Sequence, residues 1–192
     1  MCVIDSLHTP NRANPEMSVI ELLTDSGQSG GTGFEVLAPS GKQYTVTNAH
    51  MCKAGAVNAV IGNRRIPLRI IEQALDGQPD LCLLEGLDRP ALRVSQIDID
   101  PGDSVDVYGY GLLLPLTHTH GLFVGDAGEA AVQYFGFHAG YATSSILPGN
   151  SGSPVLDAYG RVVGVAFASG EALDYRTLFI RLSDLINFLG PY

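Results

Sequence analysis

The 192-residue sequence holds no apolar run of the about eighteen residues that a membrane-spanning helix requires. Basic residues are scarce as well: eleven Lys and Arg stand against twenty Asp and Glu, a formal charge of −9. Phosphate backbones and anionic lipids bind clustered positive charge, so neither nucleic acid nor membrane is an expected partner. Charged residues make up only 16 % of the chain and apolar residues 45 %, a balance that builds a core and excludes a disordered chain. Cysteine is limited to Cys2, Cys52 and Cys82. An odd number leaves one unpaired and makes no disulfide framework, and without a C-x-x-C spacing no structural zinc site is expected. The opening residues, MCVIDSLHTPNRANPE, lack a basic start followed by an apolar stretch, so no secretory signal is expected. Three thiols in a reducing, cytoplasmic setting is the simplest expectation from these absences.

Helical pattern is also sparse. One segment near the end, SDLINFL, reads as a helix with Ser183 as its N-cap, an acidic first turn and a Gly190-Pro191 stop. A single turn is expected around 49–53. What the chain has instead is short runs rich in Val, Ile, Leu, Phe, Tyr and Thr, bounded by Gly, Pro, Asn, Asp or Ser. They fall at 18–24, 33–38, 43–47, 56–61, 65–71, 81–84, 104–110, 119–124, 130–137, 155–156, 161–168 and 177–180. About a dozen strands with one terminal helix predict an all-β barrel or sandwich. The tract 91–101 carries few strand signals and is placed to link two barrels of similar size. The expected division is an N-terminal extension over 1–17, a first barrel over 18–95 and a second over 96–192.

Three stretches carry chemistry. Thr45-Val-Thr-Asn-Ala-His50 is a β run ending in a histidine, and Asp80-Leu-Cys-Leu-Leu84 is an aspartate opening an apolar strand. Pro148-Gly-Asn-Ser151-Gly-Ser-Pro154 sets a serine in a glycine-rich turn. A serine hydroxyl is a poor nucleophile until a neutral imidazole takes its proton. That imidazole needs a carboxylate to fix its tautomer and stabilise its charged form. Glycines beside the serine let successive backbone N–H groups point into one concavity, where they hold a developing oxyanion. Asp76 and Asp88 are competing acids, but neither directly precedes an apolar β run.

The order His50, Asp80, Ser151 is that of the chymotrypsin type and differs from the subtilisin and α/β-hydrolase orders. In these motifs the sequence resembles the trypsin/chymotrypsin-like serine proteases, roughly from Gly30 to Leu189. Gly31-Thr-Gly-Phe34 resembles the family's G-[ST]-G-F, Thr47-Asn-Ala-His50 its T-x-A-H, Asp80-Leu-Cys-Leu-Leu84 its D-[IL]-A-L-L, and Gly149-Asn-Ser-Gly-Ser-Pro154 its G-[DN]-S-G-[GS]-P. The detail is closest to compact bacterial or viral-type branches. Ile146-Leu-Pro-Gly-Asn-Ser-Gly resembles HtrA/Deg proteases, and GNSGSPV also occurs in staphylococcal glutamyl endopeptidases.

The resemblance implies two six-stranded Greek-key barrels with the active site between them, and a serine endopeptidase that works through an acyl-enzyme. Ser151 is then the nucleophile, His50 the general base and acid, and Asp80 the orienting carboxylate. The N–H groups of Gly149 and Ser151 form the oxyanion hole. Family positions of the side-chain pocket map to Ser145, Phe167, Ala168, Ser169 and Thr177. None is charged, which implies small or medium apolar side chains in a protein or peptide substrate. No cofactor is implied. Asn150 replaces the aspartate that digestive members pair with a new N-terminus, so no zymogen-type cleavage is expected. The alternative is a catalytically silent or ligand-gated fold that binds protein. His118 and His120 share a strand face that either is solvated or holds a metal, and His138 either is structural or reads an acidic or amide side chain. Cys52 and Cys82 read as small buried hydrophobes. Oligomeric state is not legible.

Overall fold

The computed structural model describes residues 14–169 and 176–192. Cys2 and most of the expected N-terminal extension lie outside the described residues. The described chain starts with one helical turn, α1 (Pro15–Ser18), capped by Asn14, whose side chain accepts the Glu16 N–H at 3.2 Å. Seven strands follow: β1 (Val19–Leu23), β2 (Gly30–Leu37), β3 (Gln43–Thr47), β4 (Asn58–Ile61), β5 (Arg64–Pro67), β6 (Ile70–Gln73) and β7 (Cys82–Glu85). They form one barrel-like antiparallel sheet in the order β5-β4-β1-β2-β3-β7-β6. The second half adds β8 (Ser104–Gly109), β9 (Thr117–Asp126), β10 (Ala139–Ser145), β11 (Pro154–Leu156), β12 (Val162–Ala168) and β13 (Arg176–Arg181). These six close into a barrel in the order β10-β13-β12-β11-β8-β9.

The all-β, two-barrel class expected from the runs is the observed one, with four departures of detail. The first sheet has seven strands where six were expected, because the run at 65–71 is two strands. Pro67 ends the first, Leu68 turns into the core at 6 % exposure, and Ile70 starts the second. The run at 130–137 is not a strand but a helix, α3 (Glu129–Phe135). Glu129, Ala131 and Gln133 are helix formers, and Gly136, left-handed at φ 84°, donates its N–H to the Val132 carbonyl to end the helix. Strand β10, with the sequence AGYATSS, has too few large apolar residues to signal itself; its pairing with β9 and β13 makes it a strand. Finally, α4 (Leu182–Leu189) begins two residues earlier than the expected Ser183 cap implies. Arg181 holds the N-cap position without a side-chain cap, while Leu182, Leu185 and Leu189 all turn into the core. Ser183 therefore lies inside the helix.

Alternation along the strands builds the core. In β1, Ile20 and Leu22 face the interior of the first sheet with Cys52, Ala59, Leu68, Cys82 and Leu84. The intervening Val19, with Phe34, Val36, Leu81 and Leu83, joins a cluster that continues through Leu92 into Leu156, Val162, Val165, Ile180 and Leu185 of the second half. A third cluster around Val105, Val107, Phe123, Val163 and Phe179 fills the closed barrel. The tract after β7 stitches the halves together: Leu92 bridges to Val36 and Val94 to Val162. One apolar cluster thus spans both sheets, and the cleft at their seam is held by core packing.

Candidate functional site

His50 sits on the single-turn helix α2 (Ala49–Lys53), directly after β3, and Asp80 directly precedes β7. The two strands pair with Thr47 opposite Cys82, so both residues emerge at the same sheet edge. Asp80 grips His50 twice. Its Oδ1 accepts the His50 backbone N–H at 2.9 Å, and its Oδ2 lies 2.5 Å from His50 Nδ1. The Asp80 carbonyl is itself held by the Asn48 amide at 2.9 Å. With Nδ1 engaged by the carboxylate, His50 Nε2 is the nitrogen left for a substrate-side partner. The competing Asp76 does not approach the imidazole. It is hydrogen-bonded to Lys53, whose ammonium holds its carboxyl below the ordinary carboxylate range.

Two residues beyond each of these side chains, Cys52 and Cys82 form a disulfide. This corrects the reading of both as free thiols. They are buried, as that reading had it, at 6 % and 0 % exposure, but the pairing of β3 with β7, with Thr47 opposite Cys82, brings α2 and its Cys52 against Cys82. No spacing rule in the sequence reveals that register. The cysteines therefore no longer argue for a reducing compartment.

Ser151 lies in the turn between β10 and β11. Gly149 at φ 99° and Gly152 at φ 86° both adopt left-handed conformations that a side chain would strain. A Cβ on Gly152 would also sit 2.0 Å from the Thr32 carbonyl oxygen. The turn is pinned by Thr32 N–H to Ser151 O at 2.9 Å, Gly152 N–H to Ala166 O at 2.8 Å and Ser153 N–H to Asn150 O at 3.0 Å. Among the described residues, the N–H groups of Gly149 and Ser151 have no intramolecular acceptor. The Ser151 hydroxyl lies 3.5 Å from the Phe167 carbonyl oxygen and is not hydrogen-bonded to His50.

Phe167 also connects the serine to the histidine side of the cleft. A cavity of about 330 Å³ is lined by His50, Asp80, Leu75, Phe135, Phe137, Phe167 and Ala168, among others. The rings of Phe135, Phe137 and Phe167 pack against one another with centroids 4.9 to 6.0 Å apart. The apolar wall from Phe135 was not legible in the sequence, since that segment read as a strand. Of the other pocket positions, Thr177 is fully buried; its hydroxyl donates to the Ser144 carbonyl at 2.8 Å and lies 3.0 Å from the Ser144 hydroxyl. Ser145 is exposed and pairs with Arg176, and Ser169 is part-buried at the end of β12.

On the far side of the nucleophile turn, a short 3-10 turn (Gly111–Leu113) abuts Pro148. Leu112 and Leu113 are the only described non-glycine residues at positive φ, 55° and 56°. That conformation costs a non-glycine residue roughly 1–2 kcal/mol. It places the Leu112 N–H 2.6 Å from the Pro148 carbonyl oxygen.

Elsewhere, His118 and His120 share one strand face as expected, and both contact Asp106 Oδ1, at 2.7 and 3.0 Å. Burial would raise the Asp106 pKa, but hydrogen bonds and charge from the two histidines outweigh it and hold the carboxyl below its ordinary value. Among the described residues, no group of three or more His, Cys, Asp or Glu is arranged to hold a metal. His138 is exposed and does not line the cavity beside His50.

Two antiparallel barrels that carry a histidine–aspartate pair on one and a serine turn on the other define the trypsin-like protease fold. The chain belongs to the trypsin-like peptidase domain family, which it matches over residues 14–165. It is 32 % identical over 187 residues to the uncharacterised protein y4bJ of Sinorhizobium fredii, covering 96 % of this chain and 28 % of that protein. To the serine protease Do-like HtrA of Bacillus subtilis it is 27 % identical over 159 residues, covering 74 % of this chain and 33 % of that one. The chain thus spans a third or less of these curated relatives. In fold it is similar to the active form of the Rv3671c protease from M. tuberculosis, with a TM-score of 0.73 at 23 % identity, covering 92 % of this chain and 81 % of that one. It is also similar to a serine endoprotease from Yersinia pestis, with a TM-score of 0.71 at 19 % identity over 94 % of this chain and 63 % of that one.

Proposed function

We propose that the protein is a serine endopeptidase acting on protein or peptide substrates, with Ser151, His50 and Asp80 as its triad. The observation that carries this reading is the double contact of Asp80 with His50, opposite a serine turn whose Gly149 and Ser151 N–H groups have no acceptor among the described residues. In the reaction, the Ser151 hydroxyl turns from the Phe167 carbonyl toward His50 Nε2 and gives up its proton as its oxygen attacks the substrate carbonyl. The carbonyl oxygen becomes an oxyanion facing the two N–H groups. His50 passes the proton to the leaving amine, and a water deprotonated by His50 then releases the acyl group. The Asp80 carboxylate stabilises the imidazolium in both halves.

The substrate side chain next to the cleaved bond would meet Ser145, Phe167, Ala168 and Ser169, whereas Thr177, fully buried and bonded to Ser144, is out of its reach. The absence of charge among them supports a small or medium apolar side chain. A second apolar side chain, on the same side of the bond, fits the cavity walled by Phe135 and Phe167. Asn150 supports activity without cleavage of the N-terminus. It is 4 % exposed and uncharged, and its N–H is held by Leu147 O at 3.0 Å.

The test is intact mass after incubation with a fluorophosphonate, on the wild type and on Ser151→Ala. One adduct on the wild type and none on the variant is the expected result. A second reading, a silent or ligand-gated fold that binds peptides uncut, draws on the Ser151 hydroxyl lying against Phe167 instead of His50. Catalytic hydrogen bonds are often unmade before substrate arrives. A folded wild type that takes no adduct, alone or with substrate peptides, would favour the second reading.

A further inference from the structure

We propose that Thr32, on the first sheet, is a positioning residue that holds the oxyanion-binding peptides of the second barrel in their working orientation. The inference rests on the triad reading above and extends it to a side chain outside the triad.

Each N–H that lacks an acceptor belongs to a peptide plane, and in a trans peptide the C=O points opposite to the N–H. Whatever holds the carbonyl therefore aims the amide. The Gly149 N–H shares its plane with the Pro148 carbonyl, which the Leu112 N–H engages at 2.6 Å. The Ser151 N–H shares its plane with the Asn150 carbonyl, which the Ser153 N–H engages at 3.0 Å. Between them lies the Gly149–Asn150 plane. Its N–H is held by Leu147 O at 3.0 Å, and its carbonyl accepts the Thr32 hydroxyl at 2.9 Å. Among the described residues, Thr32 is thus the one side chain acting directly on the plane that separates the two donors.

The same hydroxyl oxygen accepts the Tyr110 N–H at 2.9 Å. Tyr110 lies just after β8 and two residues before Leu112, so Thr32 also anchors the segment whose Leu112 N–H engages the Pro148 carbonyl. One oxygen, donating once and accepting once, joins both clamps and uses its full donor capacity. The Thr32 backbone adds a third grip, its N–H donating to Ser151 O at 2.9 Å. The residue is fully buried, so no water stands ready to replace it. A clamp is needed here because Gly149, at φ 99°, has no side chain to bar rotation of its peptide planes. Two leucines held at positive φ on the opposite side are the backbone conformation that this clamp maintains.

Oxyanion contacts form in the transition state, so a loosened clamp lowers kcat and leaves KM nearly alone. The test is the series Thr32→Ser, Thr32→Cys and Thr32→Val, each checked for folding by circular dichroism and assayed per folded mole. Thr32→Ser keeps the hydroxyl and is expected within about threefold of wild type. Thr32→Val is expected to lose about tenfold to hundredfold in kcat, less than the factor on the order of 10²–10³ for losing a donor outright. Its fluorophosphonate labelling rate and its affinity for a peptide boronate, which places an oxygen in the hole, should fall by a similar factor. Thr32→Cys, of similar volume with weaker hydrogen bonding, should lie between and carries the comparison with Ser if the valine variant does not fold. Folded Val or Cys variants with wild-type kcat and boronate affinity would overturn the proposal while leaving the triad intact. A folded wild type that neither labels nor hydrolyses would instead overturn the triad reading beneath it.

Discussion

Cys52 and Cys82 are bonded to each other two residues beyond His50 and Asp80, so a covalent link and an imidazole–carboxylate contact both tie α2 to the start of β7 and the residues just before it. The disulfide closes a loop with a sequence separation of 30, and cross-linking a loop of that size stabilises by about 3–4 kcal/mol in the chain-entropy description. The Cys52→Ala/Cys82→Ala variant should lose stability of that order, read as a lower denaturant midpoint. Alkylation of the unfolded chain should add one group without reductant and three with it. Three groups without reductant would show the bond unformed.

Triad residues that act as a unit lose activity as a unit. Ser151→Ala and His50→Ala should each lower kcat by a factor on the order of 10⁶, with the double variant no worse, and Asp80→Ala should lose less, about 10⁴. Losses that multiply in the double variant would mean that the two side chains do not act in one step.

Glu35 gives the molecule a pH dependence away from the cleft. It is fully buried on β2, where burial raises its pKa against hydrogen bonds from Thr45, Gln43 and the Leu87 N–H. A carboxyl that binds its proton more tightly when folded contributes stability below its unfolded pKa and loses that contribution as pH rises through the folded value. The contribution of Glu35 to stability should therefore fall from about pH 4.5 upward until its carboxyl is ionised. Glu35→Gln can accept from Gln43 and Leu87 and donate to Thr45. It should remove that slope, measured as the difference in urea midpoints between the two proteins across this range.

Leu112 is 54 % exposed and held at φ 55°. Glycine adopts that conformation without strain, so Leu112→Gly should raise stability by about 1 kcal/mol, offset in part by the greater freedom of the unfolded chain. A lower thermal midpoint would mean that the leucine side chain contributes more through packing than its conformation costs.

Phe135 faces the cavity beside His50 without touching the reacting atoms. Phe135→Ala should raise KM for substrates with a large apolar side chain near the cut, leave kcat nearly unchanged, and matter little for substrates with glycine there. An equal effect on both substrate types would place the side chain's role in folding.

The all-β class, most of the strands and the three candidate stretches of the proposed site stand out in the sequence because each rests on local signals. Alternating apolar runs end at Gly, Pro or Asn; a histidine and an aspartate sit at strand ends; and a serine lies between glycines. What failed locally failed for one reason. The segment at 130–137 read as a strand because Val132, Tyr134 and Phe135 suit one, while the capping Gly136 and the helix formers around them favour a turn-by-turn bond pattern. The strand at 139–145 carries no large apolar alternation and depends on its neighbours.

The sequence by itself determined most of the strands, their turns and the three chemical groups proposed for the site, since these depend on residues adjacent in the chain. Only the tertiary structure decided the Cys52–Cys82 bond, the aromatic wall from α3 and the reach of Thr32 into the turn at Gly149. Each joins residues 30 to 117 positions apart. Strand register and barrel docking set such distances, and no local pattern encodes either.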